Sequence, residues 1–388
     1  MLFRSFVNVS ALRAKQLRRG ALPRVDPRPL HSEVPPKLER VAMAEVHTQL
    51  IDYSLPDAER SEADTATTPA WCNDGAGLSV LETSYMKPSQ LPQYAGYGAA
   101  QLINATAGNL VNYLRGHQAF EDQGTASGTD LFRERTALLG DIINAQPAYV
   151  KAAPFAYDDT GYKEFKDCTQ NVTAAGCPAA QFPPDAALAA PYPRRPTVFV
   201  SSNDGMLHAF DGATGQELWA YVPRIVMPEM YKLAVSNYDN NHRYYVDGSP
   251  VVMDVFFKSQ NQWKTVLVSG LRAGGRGFFA LDITDPLNPK GLWEVCADPA
   301  GNLACTDTDD NIGLSFGDPV ITKWDKTGDW VAVVSSGYNN VAPGDGKGHI
   351  FVIDIETGTI LDTKDTGAGD TTTPSGLAYL TGYAENFA

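Results

Sequence analysis

The sequence predicts an all-β fold, a β-propeller, from three observations: a unit that recurs every 71 or 72 residues, strands that alternate apolar and polar side chains, and turns marked by glycine and proline. The unit occupies residues 198–222, 266–295 and 331–363, and its shared aspartates are Asp211, Asp282 and Asp354. Each copy reads as a strand ending in small residues, a turn carrying Gly205, Gly277 or Gly348, an alternating strand ending in the aspartate, a second turn and another strand. Glycine before the third strand admits the positive φ of a tight turn, and Thr214-Gly215 and Thr357-Gly358 mark the second turn. A further strand precedes each copy and begins at a proline, in Gln146-Pro147, Ser249-Pro250 and Asp318-Pro319, with Thr373-Pro374 opening a fourth unit. Proline suits that position because its missing N–H removes no ladder bond. Four short strands per unit are propeller blades, expected over 140–224, 244–296 and 313–364, with a fourth starting near 371. Propellers use about 4 to 8 blades. Three and a beginning do not close, so the sequence reads as an incomplete propeller, a fragment whose ring stays open unless N-terminal strands complete it.

Ahead of the propeller, at 140–388, lie two other segments. Residues 1–95, rich in Pro, Arg, Glu and Ser with little periodicity, read as extended or partly disordered chain. Residues 96–139 form a helical lead-in, because Leu102, Ile103, Ala107, Leu110, Val111 and Leu114 fall at helical spacing and Gly116 follows as a C-cap. The spacing predicts one amphipathic helix over 99–114. Packing on the β domain is favoured over a partner-docking role.

Composition narrows the function classes. With 43% hydrophobic and 20% charged residues, 34 Gly and 26 Pro, usage is globular and leans toward turn-rich β structure. The first forty residues hold nine Lys/Arg and three Asp/Glu, leaving 22 basic and 42 acidic residues in the remainder. That acidic body repels phosphate backbones, which argues against nucleic acid and for divalent cations or basic surfaces as partners. No apolar run reaches the roughly 20 residues of a membrane span, so the protein is not read as integral to a membrane. Cys168 with Cys177 and Cys296 with Cys305 share one spacing, each within a Pro/Gly/Ala-rich stretch inserted between strands, and are expected as two disulfides. Disulfides favour export, with Cys72 left over. The first twenty residues, however, lack the apolar stretch of about 7 to 15 residues that a signal peptide needs.

The catalytic motifs of nucleophile elbows, P-loops, His-Glu-x-x-His helices and Cys-x-x-Cys-His haem sites are all absent, and six scattered histidines form no cluster. In the run from Ala209 through Asp211, Thr214 and Gly215 to Trp219 the blade signature resembles the repeat of pyrroloquinoline-quinone propellers, which speaks to fold. Asp211, Asp282 and Asp354 are read as turn formers, and Trp219 and Trp293 as residues that pack between blades. A quinone-dependent oxidoreductase is the alternative function, motivated by this signature alone; many such enzymes carry two adjacent cysteines, which do not occur here. Arg276, in the Gly-rich stretch 273–277, is expected in a tight blade turn, facing solvent or in a salt bridge. One carboxylate run has ligand-like spacing: Asp307, Asp309 and Asn311 at alternate positions, with Asp318 twelfth. Oxygen ligands so spaced suit calcium. Ile312 stands where such a loop wants glycine, and an exposed acidic turn is the favoured reading.

Several motifs, in order, resemble the PilC/PilY family of type IV pilus proteins: Val111-Asn-Tyr-Leu-Arg-Gly116, Leu139-Gly-Asp-Ile-Ile-Asn-Ala-Gln-Pro147, Asn203-Asp-Gly-Met-Leu-His-Ala-Phe-Asp211, His242-Arg-Tyr-Tyr-Val-Asp-Gly-Ser-Pro250, the stretch from Leu271 to Pro286, and Ser315-Phe-Gly-Asp-Pro319. The likeness covers roughly residues 100–380. It implies a C-terminal modified propeller that acts by binding, not as an enzyme: in pilus assembly, in opposing retraction, in adhesion to host or abiotic surfaces, and in many members under calcium control. Minor pilins and the pilus machinery are the implied partners, and the periplasm or outer surface the implied location. The family's Asp-x-Ser-x-Ser adhesion motif is not found in this sequence. The family's calcium loop falls in a later blade, beyond residue 388, so the Asp307 run is not its equivalent.

Overall fold

Among the described residues, alternating Val, Ile, Phe and Leu between turn residues give thirteen strands in three sheets, antiparallel except for one short edge strand. The structure, a computed structural model, describes residues 85–122, 128–185 and 187–381, all within one compact unit, Thr67–Ala388. Blade I contains β1 (Ala148–Val150), β2 (Thr197–Ser202), β3 (Met206–Asp211) and β4 (Glu217–Tyr221) in sequential order. Blade II contains β5 (Val251–Phe257), β6 (Gln262–Gly270), β7 (Gly277–Asp282) and β8 (Lys290–Cys296), and a short β9 (Asp307–Thr308) adds in parallel to its outer edge. Blade III contains β10 (Val320–Lys323), β11 (Trp330–Ser335), β12 (His349–Asp354) and β13 (Ile360–Asp365). Prolines 147, 250 and 319 immediately precede the first strands, as expected. The fourth unit forms no strand among the described residues; there Leu377 makes a single bridge to Gly337. Nor do the described residues ahead of β1 supply one: there Glu121 and Phe132 make an isolated bridge.

The blades repeat in detail. Each has a register shift between its third and fourth strands, at Ala209/Phe210, Ala280/Leu281 and Val352/Ile353, two residues before the shared aspartate. That aspartate then folds the turn. Asp211 Oδ1 accepts from the N–H groups of Ala213 and Thr214, both at 2.8 Å, Asp282 Oδ1 from Thr284 at 2.9 Å, and Asp354 Oδ1 from Glu356 and Thr357 at 3.0 and 2.7 Å. Gly215 and Gly358 take positive φ, 73° and 76°, as the turn requires.

Tryptophan links each blade to the next. Trp219 Nε1 donates to the Pro286 carbonyl of blade II at 2.7 Å, and Trp293 Nε1 to the Ile355 carbonyl of blade III at 3.0 Å. A Cβ on Gly358 would stand 2.4 Å from Trp293 Cβ, so this glycine is held both by its φ and by the indole against it.

Two expectations are corrected. Residues 99–114 form two helices, α1 (Ala99–Asn104) and α2 (Ala107–Leu114), because Thr106 takes an extended conformation and its hydroxyl accepts from Asn109 N, starting a new helix. Leu102 and Ile103 on α1 are consequently exposed, whereas α2 buries Leu110, Val111, Tyr113 and Leu114 and ends on Gly116, with His117 N bonded to the Asn112 carbonyl. Gly277 and Gly348 are not positive-φ turn residues; their lack of a side chain is required by close approach. A Cβ on Gly277 would meet the Val295 carbonyl at 2.8 Å, and one on Gly348 the Gly376 carbonyl at 3.0 Å. Residues 1–84 of the expected extended segment lie outside the described residues.

The latch between blades II and III is testable: Trp293→Phe keeps the ring contact but strips the buried Ile355 carbonyl of its donor, and is expected to lower the unfolding free energy by about 2 kcal/mol in denaturant titration.

Candidate functional site

The loops joining second to third strands, and the segments joining one blade to the next, are bonded together. Isolated bridges pair Arg272 with Ser315, Leu314 with Tyr338 and Gly337 with Leu377. Arg272 adopts a left-handed φ of 50° at its bridge, and its guanidinium reaches Asp318 Oδ1 at 3.1 Å. Arg276 is partly exposed, as expected, but its partners are carbonyls and no salt bridge holds it among the described residues. Its guanidinium donates to three carbonyls, Ile312 at 2.7 Å, Asp310 at 2.8 Å and Ala342 at 2.9 Å, and so fastens the loop after β9 and the β11–β12 loop to blade II. Burial lowers its pKa, and Asp310 opposes the shift.

This bonding decides what becomes of the carboxylate run. Asp307 lies on β9, where its Oδ2 accepts from Ile360 N at 2.9 Å and its Oδ1 from Thr308 N at 2.8 Å. Asp309 Oδ1 accepts from Asn311 N, and Asn311 Oδ1 from Asp345 N, each at 2.8 Å. Asp318 is drawn away to Arg272. The four side chains do not converge, and among the described residues no group of three or more His, Cys, Asp or Glu is placed to hold a metal ion. The set does not fit a calcium cage.

Both expected disulfides are formed, Cys168–Cys177 and Cys296–Cys305, with Cα separations of 5.5 and 6.1 Å. The second closes the loop that returns the chain to β9. There Ala304 takes a φ of 52°, and its carbonyl accepts from Arg224 at 2.7 Å. Cys72 lies outside the described residues.

One charged cluster went unread in the sequence. His208, on β3 and 5% exposed, is held on both sides, with Nδ1 2.6 Å from Glu217 Oε1 and Nε2 3.0 Å from Asp204 Oδ2. Asp204 also accepts from Gly140 N at 2.8 Å, which ties the segment before β1 to this blade. Burial alone would lower the imidazole pKa, but the two carboxylates outweigh it and raise it to about 10. Burial likewise works to raise Asp204, and His208 holds it below its ordinary range. Blade III repeats part of the device, with His349 Nε2 2.9 Å from Asp345 Oδ1. The signal was available: both are aspartates four residues before a histidine, across a turn into the third strand. His242 pairs instead over a long span, 2.9 Å from Asp141.

Two measurements test this arrangement. Because His208 has a folded pKa above its unfolded value of about 6.5, its contribution to stability is complete below about pH 6.5 and is lost as pH climbs toward about 10. Wild-type melting temperature is therefore expected to fall across that range more steeply than that of His208→Gln; equal slopes would contradict the assignment. Calorimetric titration of the chain with calcium is expected to detect no binding at Asp307, Asp309, Asn311 and Asp318, and heats abolished by Asp309→Ala would show the opposite.

Comparison with known proteins places this architecture. Residues 139–381 match the family model described as the PilY1 beta-propeller domain. The type IV pilus biogenesis factor PilY1 of Pseudomonas aeruginosa (strain PAK) is 37% identical over 276 residues, 69% of this chain and 20% of that protein. A PilY1 homolog of Xylella fastidiosa (strain Temecula1 / ATCC 700964) is 34% identical over 296 residues, 76% of this chain and 21% of that protein. The chain thus spans about one-fifth of the length of these curated relatives. The crystal structure of the P. aeruginosa PilY1 C-terminal domain aligns with a TM-score of 0.43 at 33% identity, covering 60% of this chain and 39% of that one. With the family model covering well over half of its length, the chain belongs to the PilY1 β-propeller family, whose relatives here are named type IV pilus biogenesis factors.

Proposed function

We propose that this chain is a binding and scaffolding module of type IV pilus biogenesis, exported to the periplasm or outer surface, where its loops dock on minor pilins or other pilus machinery and promote extension or oppose retraction. The observation that carries the reading is the PilY1 propeller match over 139–381. The architecture supports it. The rim loops are held by Arg272 and Arg276, and a surface ordered in advance gives up less conformational entropy when a partner docks. No helix among the described residues is long and apolar enough to cross a membrane, so attachment by docking is the mode proposed. Adhesion to host or abiotic surfaces belongs to the same reading. It involves no catalytic step.

Deleting the segment that encodes residues 139–381 in the source organism is expected to abolish or sharply reduce surface pili, counted by electron microscopy, and to be rescued by the intact gene. Normal piliation and normal surface attachment in the deletion strain would overturn the proposal.

A further inference from the structure

The longest excursion in the propeller leaves blade I after β1 and returns at β2. Between them lies α3 (Tyr162–Gln170), and the Cys168–Cys177 disulfide closes the chain that follows it. The segment is tied to itself at its base: Ala153 N donates to Thr169 Oγ1 at 2.8 Å, Arg194 N to the Thr169 carbonyl at 2.9 Å, and Val172 N to the Tyr192 carbonyl at 3.1 Å. It does not stay on the blade from which it comes.

On blade II it makes a buried polar chain. Tyr162 OH donates to Asp254 Oδ2 at 2.8 Å, Thr265 Oγ1 donates to Asp254 Oδ1 at 2.7 Å, and Arg194 donates to Thr265 Oγ1 at 2.7 Å. The Trp263 indole donates to the Thr160 carbonyl at 3.0 Å and packs edge-on to Tyr162. Just ahead of these residues, the segment reaches blade III. The Tyr157 ring lies 5.6 Å from both Trp263 of blade II and Trp330 of blade III, and Asp159 pairs with Lys323 on β10. Tyr162, Phe165 and Phe182 belong to the same apolar cluster as Trp330, Ala332 and Phe351.

We infer that residues 151–196 are a strap: anchored in blade I, they cross blade II and hold blade III, so that blade III opens to solvent at a rate set partly by side chains of a blade I insertion. Successive blades contact chiefly their immediate neighbours, and such units open separately when little crosses between them. Tyr157 touches side chains of both of the following blades, and Asp159 adds an ion pair to the third. The strap therefore makes the opening of three blades one event.

Hydrogen exchange by mass spectrometry on the whole 388-residue chain decides the matter. In Tyr157→Ala, amides of β10 and β11 are expected to exchange faster by on the order of tenfold, the coupling found between groups in contact, while β3 and β4 of blade I keep wild-type protection. Asp159→Asn leaves the aromatic packing in place and is expected to give a smaller acceleration at the same strands, which keeps the test open if Tyr157→Ala folds poorly. Lys326→Ala, which breaks an ion pair with Asp362 inside blade III, serves as the control for simple loss of a surface charge and is expected to leave residues 151–196 unchanged. Acceleration confined to residues 151–196 in both strap variants would overturn the inference.

Discussion

A propeller sheet has two apolar faces and no helical layer to cover them, so each blade is stable only against its neighbours. Blade II states the constraint most fully, for every residue of β7 is buried. Phe279 and Leu281 share one apolar cluster with Phe199, Leu207 and Trp219 of blade I. Phe278 and Ala280, pointing the other way, share the second with Ile321, Ala332 and Phe351 of blade III. Strand alternation thus divides one strand between two interfaces. The tryptophan latches lie at these same interfaces, each indole satisfying a carbonyl of the next blade that burial would otherwise leave unpaired.

The same contact brings charge into half-buried places between the blades. Glu294 on blade II is a half-buried carboxylate whose pKa burial raises; its oxygens accept from Tyr221 OH at 2.6 Å and from the N–H groups of Arg224 at 2.9 Å and Ile225 at 3.2 Å, all on the blade I side. Arg195 divides its guanidinium between Asp185 of the strap and Asp211, the blade aspartate. In each case the ion is matched within hydrogen-bond distance, which is the condition for tolerating it away from water. The effect is to fix loop positions: Glu294 holds the turn after β4, Arg276 the turn after β9, and Asp204 with His208 the approach to β1. Under the proposed docking role, loops fixed in this way are ordered before a partner arrives.

The strap and the two disulfides solve a related problem. Both cross-links lie in insertions with little core of their own, where closing a loop restricts the unfolded chain. Within the first insertion the aromatic contacts of Tyr157 and Tyr162 add cohesion across the blades, and within the second the loop brings Asp307 against the start of β13.

Much of this was legible beforehand because it is local. The 71- and 72-residue spacing of the blade aspartates, the prolines ahead of each first strand, the glycines of the Thr-Gly turns and the cysteine pairs all act within a few residues or repeat in register. Those features by themselves determined the blade fold and both disulfides. Where a local pattern misled, a neighbour had intervened: Thr106 broke a helical stripe by capping the next helix, and Gly277 proved to be a contact residue and not a turn residue. The carboxylate run, read foremost as an acidic turn, shows the same limit. Its ligand-like spacing is real, but Asp318 pairs with Arg272 across 46 residues of sequence, and Asp307 accepts from Ile360 across 53. Which charge meets which, and how far the blade I insertion reaches, only the tertiary structure decided, because these contacts join residues whose separation along the chain carries no periodicity to read.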